Sequence, residues 1–558
     1  MFNIAYRGPE QNSSMSDEKL LEYVLRKAWT QSIVSVDTET VSLKNRACIG
    51  IGLGIGDNEG IYLQVLPSRS PYIPAVMELL SSPSITKIFH NALFDIGVLN
   101  SLAEQERLPI PSLKNIQDTS IMAQVSGYPT TLQILGEDLL HYQDMFSIQQ
   151  LLAEHTAINM LEVPYPKVAL KCLNDVRATW NLYHYLSNWP NRMVRECYEV
   201  DKDLIPVIRE MEPKGLKLNQ TRLREHEEEL KQEVLFYKDI CEGQYGFSPG
   251  SNQQVGYILA LRGNILPLTK ARKRKQLKTD EITLEQLTDP LAQIVLNYRK
   301  AVKLLGTYIQ PWLGKDYAHT HFRIDLATGR FASFDRNLQN LPVKVRDIFT
   351  PDNDMFTWFD FNQIEMRIFA FISQDPVMLR VYREGKDIHW ITQQALFPGS
   401  KKEDTFLRLI AKTFNYAMIF NASVLTLARR TKLPLKTCEI YRKKWLALYH
   451  VAYNWMIKTM VGKGAYTETL FGRRMLLPTD LETSPDHVAK CRLNYPIQGT
   501  AADIIKRAIL QVSNRDLRLQ VHDELLFDGY TDIPESIAYI HPDIIVPFEV
   551  KRGPVWVK

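Results

Sequence analysis

The sequence predicts an α/β domain over roughly the first 190 residues, followed by a longer region of mixed helix and strand. Three observations carry that expectation. Short β-branched or apolar runs crowd the first 90 residues, helical periodicity takes over from Thr131 to about Trp189, and the chain from Val194 is long and helical before strands return after residue 300. Strands followed by helices within one stretch are the pattern of a sheet with helices packed on it. At 558 residues the chain is too long for one core, and roughly three or four domains are expected.

The elements follow in order. SIVSVDTET (32–40) reads as a strand from its β-branched alternation, and CIGIGLGI with GIYLQVL reads as two more. KIFH is a further strand, and ALFDIGVLNSLAEQ begins a helix directly after it. In TRLREHEEELKQEVLFYKDI, Leu223, Leu230, Val234 and Leu235 lie near a helical period, as in an exposed, extended helix. KARKRKQLK (270–278) is the most basic run, with six Lys or Arg in nine residues. It suits a solvated loop and a nucleic-acid backbone contact equally, because phosphate neutralisation asks only for clustered cations.

Composition narrows the classes. With 45% hydrophobic and 23% charged residues the chain is globular rather than disordered. No run approaches the roughly 18 apolar residues of a membrane span. The N-terminus has neither a signal core nor the basic character of a transit peptide, so a cytoplasmic location is expected. Six scattered cysteines without a CxxC pair indicate neither a zinc site nor a disulfide framework. A net charge of +4 leaves any binding of acidic partners to local patches.

Asp37 and Glu39 are two apart on a predicted strand and therefore share a face. Asp95 opens the helix after KIFH, and Asp175 lies in CLNDVRATW. One such acid alone is best read as a cap or a solvated turn. Four acids converging on one sheet edge would repel without cations, and oxygen ligands of this kind suit Mg²⁺ or Mn²⁺. Two ions about 3.5–4 Å apart activate water and stabilise the leaving oxygen in phosphodiester hydrolysis.

VDTET, FHNALFD and LNDVRAT resemble the three motifs of DEDD 3′–5′ exonucleases. The resemblance implies metal-ligand and catalytic roles for Asp37, Glu39, Asp95 and Asp175, with two Mg²⁺ replaceable by Mn²⁺. That family usually has a Tyr four residues before the last Asp, or a His five before it, to orient water. Here Lys171 and Leu170 stand at those positions, so an impaired exonuclease is the alternative expectation.

In the second half, TWFDFNQIEMRIFAF begins strand-like and turns helical after Asp360, and LRLQVHDELLFD reads as two short strands meeting at His522-Asp523. A hairpin turn can bring Asp523 to Asp360, and the two carboxylates could hold two Mg²⁺ for attack by a hydroxyl and departure of pyrophosphate. An acid in a turn is ordinarily a turn former, so neither element alone carries this. RLIAKTFNYAMIF puts Arg408, Lys412 and Tyr416 at i, i+4 and i+8 on one helix face. The plain reading is a polar surface stripe. The functional one is a triphosphate held by two cations, with base and sugar against the ring.

Together these segments resemble family A DNA polymerases: DFNQIEMR motif A, RLIAKTFNYAMIF motif B and QVHDE motif C, with support from TGRFASFDRNLQNLP, EGKDIHW, ETLFGRRMLLP and LNYPIQGTAADIIKRAI. The resemblance implies an exonuclease domain with an RNase H-like mixed sheet at 1–190. A right-hand α+β polymerase domain follows at 191–558, with the thumb at about 200–320 and palm and fingers at about 321–558. No room is left for a 5′-nuclease domain, and the chain looks most like a bacteriophage or plasmid enzyme acting in an infected bacterial host. Asp360 and Asp523, with the Phe361 carbonyl, would bind two metals, and Glu524 would lie beside the primer end. Arg408, Lys412, Tyr416, Glu365, Gln363 and His389 would form the nucleotide site. Arg330, Asn494, Gln498 and His522 would meet primer–template DNA, the first three at the minor groove, where purine N3 and pyrimidine O2 acceptors are common to every correct pair. Arg272, Lys273, Arg274 and Lys275 fall at the thumb tip that grips duplex backbone.

Three departures bear on fidelity: Phe420 replaces a Tyr, Asn421 a Gly and Lys490 an Arg of the family pattern. Primer–template DNA and dNTPs are the expected partners of a monomer, with a processivity factor or other replisome proteins in addition and no membrane. One rival is a single-subunit RNA polymerase, against which Glu365 stands as the bulky side chain that excludes a ribose 2′-OH. A non-catalytic DNA-binding protein is the other, and the intact acids oppose it.

Overall fold

Alternating glycines in the strand Cys48–Gly56 set how closely a helix can approach the first sheet. Our computed structural model of the protein describes residues 4–7, 16–67, 70–269, 275–478 and 483–557. The chain forms two compact units, neither continuous in sequence. One comprises Met1–Glu210, Arg323–Phe331 and Met460–Ser513, the other Met211–Phe322, Ala332–Thr459 and Asn514–Lys558.

The first unit carries a six-stranded mixed sheet in the order Ile4–Arg7, Glu59–Gln64, Cys48–Gly56, Ile33–Thr40, Thr86–Phe89, Ile116–Asp118. Ile33–Thr40 is central, antiparallel to Cys48–Gly56 and parallel to Thr86–Phe89. Gly50, Gly52 and Gly54 fall on one face of the pleat. A Cβ at Gly52 would lie 2.5 Å from Cys172 Sγ, and one at Gly54 would lie 2.3 Å from Ser35 Oγ. The helix Tyr165–Leu186 therefore rests directly on the backbone of this strand, fastened by the Ser35 hydroxyl donating to Val176 O at 2.8 Å. Tyr62, Val168, Ala169, Cys172 and Leu173 pack in the core between them.

In the same unit the long helix Pro485–Gln511 is anchored through a fully buried ionic cluster. Arg473 donates to both oxygens of Asp201 at 2.8 Å each and to Asp503 at 2.8 Å, while Lys506 donates to Asp201 at 2.8 Å. Two cations balance two carboxylates. Burial pushes the Asp201 carboxyl up, but Arg473 and Lys506 outweigh it and hold it below its usual range. Burial, with Arg473 beside it, brings Lys506 down to about 8. Removing one member of such a buried set leaves an uncompensated charge, which costs about 3–5 kcal/mol.

The second unit holds a four-stranded antiparallel sheet in the order Leu517–Val521, Glu524–Asp528, Phe356–Phe361, Phe548–Gly553. The strands read from TWFDF and LRLQVHDELLFD are the centre and the hairpin of this sheet. Phe359 stacks on Phe527 and tilts against Phe548, closing the core on one face. A smaller helical core in the same unit gathers Phe247, Val255, Leu259, Leu291 and Val295.

The helices Ala92–Glu106, Tyr165–Leu186, Gln220–Asp239 and Thr405–Met418 lie where helical periodicity puts them. The edge strands Ile4–Arg7 and Ile116–Asp118 are too short to give a periodic signal. All six cysteines are buried thiols. Among the described residues no helix is long and apolar enough to cross a membrane.

Candidate active sites

Four carboxylates meet in the first unit. Asp37 and Glu39 project from the central strand on the face where the glycines admit the helix, opposite Gly52 and Gly50 in register. The helix brings Asp175 and Lys171 there. Lys171 Nζ lies 2.8 Å from Glu39 Oε1 and 2.6 Å from Asp175 Oδ2. Asp95 joins through Thr38, whose backbone N–H and hydroxyl donate to its Oδ1 at 2.9 and 2.7 Å.

Asp118 sets the position of Asp95. It accepts from the N–H groups of Asn91 and Ala92, at 3.1 and 2.7 Å, while capping the helix Thr119–Val125. Asn91 adopts a φ of 73°, in the left-handed region that Asn tolerates, and this lets the strand turn sharply into the helix. Neither Asp118 nor Cys172 stood out in the sequence. Each lacks a motif of its own, although Asp118 precedes a helix start as caps do.

The electrostatics of this cluster follow from burial. It pushes Asp37 up to about 7, against the pull of Lys171, and Glu39 up to about 8. Asp95 rises to about 7 for the same first reason. Burial also opposes the charge of Lys171, but Asp175, Glu39 and Asp37 outweigh it and keep the ammonium protonated. Cys172 Sγ lies 3.3 Å from Asp37 Oδ2, and burial next to Asp37 and Glu39 keeps it a thiol. Oxygens of Asp37 and Glu39 lie within 4.8 Å of each other and of that sulfur. The carboxylate set fits a hard divalent cation. A lysine ammonium is built into the same cluster.

The second site lies at the end of the four-stranded sheet. Asp360 pairs in register with Glu524, and the Phe361 N–H donates to the Asp523 carbonyl at 3.2 Å. Val521 pairs with Glu524, so His522 and Asp523 form a two-residue turn, with His522 at a φ of 56°. Backbone pairing thus sets Asp360 opposite Glu524 and Phe361 opposite Asp523, bringing the three acids to one end of the sheet, where carboxylate oxygens would suit Mg²⁺ or Mn²⁺. Glu524 is buried and accepts from Trp556 Nε1 at 2.6 Å and Arg346 Nη1 at 3.4 Å. The Arg346 guanidinium lies 3.9 Å from the centre of the Trp556 ring. No local pattern in the sequence marks either residue, since they sit 178 and 32 positions from Glu524.

Facing these acids is the helix Thr405–Met418. Burial, and then the fields of Asp523, Glu365 and Asp360, push the Tyr416 hydroxyl up to about 12. Arg408 pairs with Asp387, and Lys412 on the same face is exposed. His389 is buried, with Asn415 Nδ2 donating to its Nδ1 at 2.9 Å and the Tyr416 ring 5.6 Å away. Asn415 is held in turn by Trp445 Nε1 at 2.8 Å and the Thr392 hydroxyl at 2.9 Å. Gln363 begins the helix Ile364–Ser373 in the left-handed region and accepts from the Tyr382 hydroxyl at 3.0 Å, with Glu365 in the first turn.

The remaining residues singled out from sequence divide between the units. Arg330, Asn494 and Gln498 belong to the first and are half-buried, the latter two one turn apart on the helix Pro485–Gln511. His522 is exposed in the second. Lys275 is exposed, while Arg272, Lys273 and Arg274 lie outside the described residues.

Comparison with known proteins gives two family matches. The family model described as DNA polymerase family A matches residues 215–550, and that described as 3′–5′ exonuclease matches residues 12–189. DNA polymerase I of Pseudomonas aeruginosa is 28% identical over 570 residues, covering 92% of this chain and 61% of that protein. DNA polymerase I of Chloroflexus aurantiacus is 30% identical over 582 residues, covering 93% and 60%. The chain thus spans about three fifths of the length of these relatives. A solved structure of the POL domain of Pol1 from M. smegmatis, in complex with DNA primer-template and dNTP, shares the fold with a TM-score of 0.74. It is 23% identical and covers 94% of this chain and 95% of that one.

Proposed function

The chain belongs to DNA polymerase family A, with a 3′–5′ exonuclease domain in its N-terminal part, and we propose that it extends a primer 3′-OH with dNTPs on a DNA template and hydrolyses DNA from the 3′ end. The observation that carries this reading is the register of the second unit's sheet, which joins Asp360, Asp523 and Glu524 through backbone pairing. In this reading Asp360 and Asp523, with the Phe361 carbonyl, hold two Mg²⁺, and Asp37, Glu39, Asp95 and Asp175 hold the ions of the exonuclease. Bound divalent ions supply a lowered pKa for the attacking hydroxyl or water and a counter-charge for the leaving oxygen.

The chain's own residues do the rest. Lys412 and Arg408 bind the triphosphate, with Arg408 exchanging its Asp387 partner for phosphate oxygens, to which a planar guanidinium is well matched. Tyr416 packs beside the sugar. Glu365 excludes a ribose 2′-OH, and Gln363 and His389 line the same pocket. Glu524, held by Arg346 and Trp556, stands by the primer terminus with His522. Arg330, Asn494 and Gln498 follow the minor groove, and the basic run 270–278 holds duplex backbone through phosphate neutralisation.

A labelled primer–template with Mg²⁺ tests this. Extension is expected with dNTPs and not with rNTPs, and degradation from the 3′ end without nucleotides. Asp360→Ala or Asp523→Ala should abolish extension while leaving DNA binding intact, because phosphate contacts are made elsewhere. Near-wild-type extension by either variant removes that acid from the chemistry. Degradation should disappear in an Asp37→Ala, Glu39→Ala double variant that still polymerises.

A further inference from the structure

Lys171 is the residue of the exonuclease cluster that the proposed hydrolysis does not use. Its side chain is 9% exposed and lies between the buried carboxylates Glu39 and Asp175, one turn away on its own helix. The charged groups on the ammonium are Glu39 and Asp37 from the central strand and Asp175 from its own helix, with the Cys172 thiol on Asp37 and Asp95 behind Thr38. Buried carboxylates at this spacing repel unless they take up protons or a cation lies between them, and the Lys171 ammonium, 2.8 and 2.6 Å from Glu39 and Asp175, is such a cation. A divalent ion bound by Glu39 and Asp175 would need the oxygens that Lys171 now engages.

We infer that Lys171 is a resident cation of this site, which holds the carboxylates together without metal and must be displaced from Glu39 and Asp175 before a divalent ion can bind them. The inference rests on reading the cluster as a metal-dependent hydrolytic site. It follows that this part of the fold does not depend on metal. Divalent ions bind it weakly, and the lysine sets the metal concentration at which hydrolysis begins.

The test uses the full chain carrying Asp523→Ala, which removes the polymerase carboxylate pair as a competing site. Mn²⁺ binding is followed by the spin resonance of free Mn²⁺, and thermal unfolding is recorded in EDTA and in Mn²⁺. The parent should bind Mn²⁺ weakly at the cluster and melt at the same temperature in both. Lys171→Met should bind Mn²⁺ about tenfold more tightly or better, since a like charge at contact distance is gone. Its melting temperature should fall in EDTA and recover in Mn²⁺, because the ion binds only the folded state. Lys171→Gln, uncharged and polar, carries the same expectations and replaces the methionine variant if that does not fold.

Equal Mn²⁺ affinity with and without Lys171, or unchanged stability of the variant in EDTA, overturns the inference. Adding Asp37→Ala separates this from failure of the site reading. Binding by Lys171→Met that survives loss of Asp37 means the ion is not in the cluster, and both fall. Binding that needs Asp37 but ignores Lys171 leaves the metal site standing and removes only the resident cation.

Discussion

The indole N–H of Trp556 donates to the buried carboxylate of Glu524 at 2.6 Å. Arg346 covers the same indole and reaches the same carboxylate oxygen. That carboxylate is thereby fixed by two residues about 210 positions apart in the sequence.

Trp556→Phe keeps the ring under Arg346 and removes the donor. Losing a hydrogen bond to a buried carboxylate costs about 1–3 kcal/mol, which urea unfolding should register. Single-turnover incorporation should fall while DNA affinity is unchanged. A variant as stable and as fast as wild type would mean Glu524 is positioned by Arg346 alone.

On the proposed reading, Tyr416 should govern the choice between deoxy- and dideoxynucleotides. With Phe at this place, a nucleotide lacking its 3′-OH leaves a polar group unpaired, at about 1–3 kcal/mol or one to two orders of magnitude in selection. The Tyr hydroxyl, which lies in the field of Asp523, Glu365 and Asp360, can fill that vacancy. The enzyme should accept both substrates nearly equally, and Tyr416→Phe should restore discrimination. The ratio of kcat/KM for ddNTP and dNTP in the two proteins checks it, and identical ratios would sink the idea.

Replacing Arg272, Lys273, Arg274 and Lys275 with Ala should weaken primer–template binding equally for all sequences and flatten its dependence on salt. Processivity should drop more than single-nucleotide incorporation. An unaltered salt slope would return this run to a solvated loop.

His389 should make the second unit sensitive to acid. Burial holds its pKa down at about 4, with Arg408 and Lys412 adding to the effect and Asp387 opposing it. The ring is neutral when folded but takes a proton below about 6.5 when unfolded, so the unfolded state binds more protons in between. Stability from this site is therefore complete above about pH 6.5 and is lost as pH falls toward about 4, by up to about 3 kcal/mol. Urea midpoints at pH 7 and pH 4.5 should lie closer together in His389→Gln than in wild type. An equal acid loss in both would place the titration elsewhere.

The acids of both sites were legible because each sits in a local pattern: Asp37 and Glu39 share a strand face, and His522-Asp523 interrupts two apolar strands. The face formed by Arg408, Lys412 and Tyr416 is likewise a matter of helical spacing. Trp556, Arg346 and Asp118 were not legible, since each acts on a partner distant in sequence or through a hydrogen bond that leaves no periodic trace. The ionic cluster of Asp201, Arg473, Asp503 and Lys506 is closed by bonds across 272 and 305 positions of the chain. No cut of the linear chain into consecutive domains would reveal that the first unit is built from three separate stretches.

By itself, then, the sequence determined the chemistry available: which carboxylates, cations and rings exist, and which face of a strand or helix each occupies, because those faces follow from backbone period alone. The tertiary structure decided how those groups are paired. Lys171 read in sequence only as a missing Tyr. The glycines at 52 and 54 let its helix settle onto the strand, and that close approach puts its ammonium between Glu39 and Asp175. Such pairing depends on distances of a few ångströms between segments more than 130 residues apart, and side-chain packing sets those distances, whatever the local spacing.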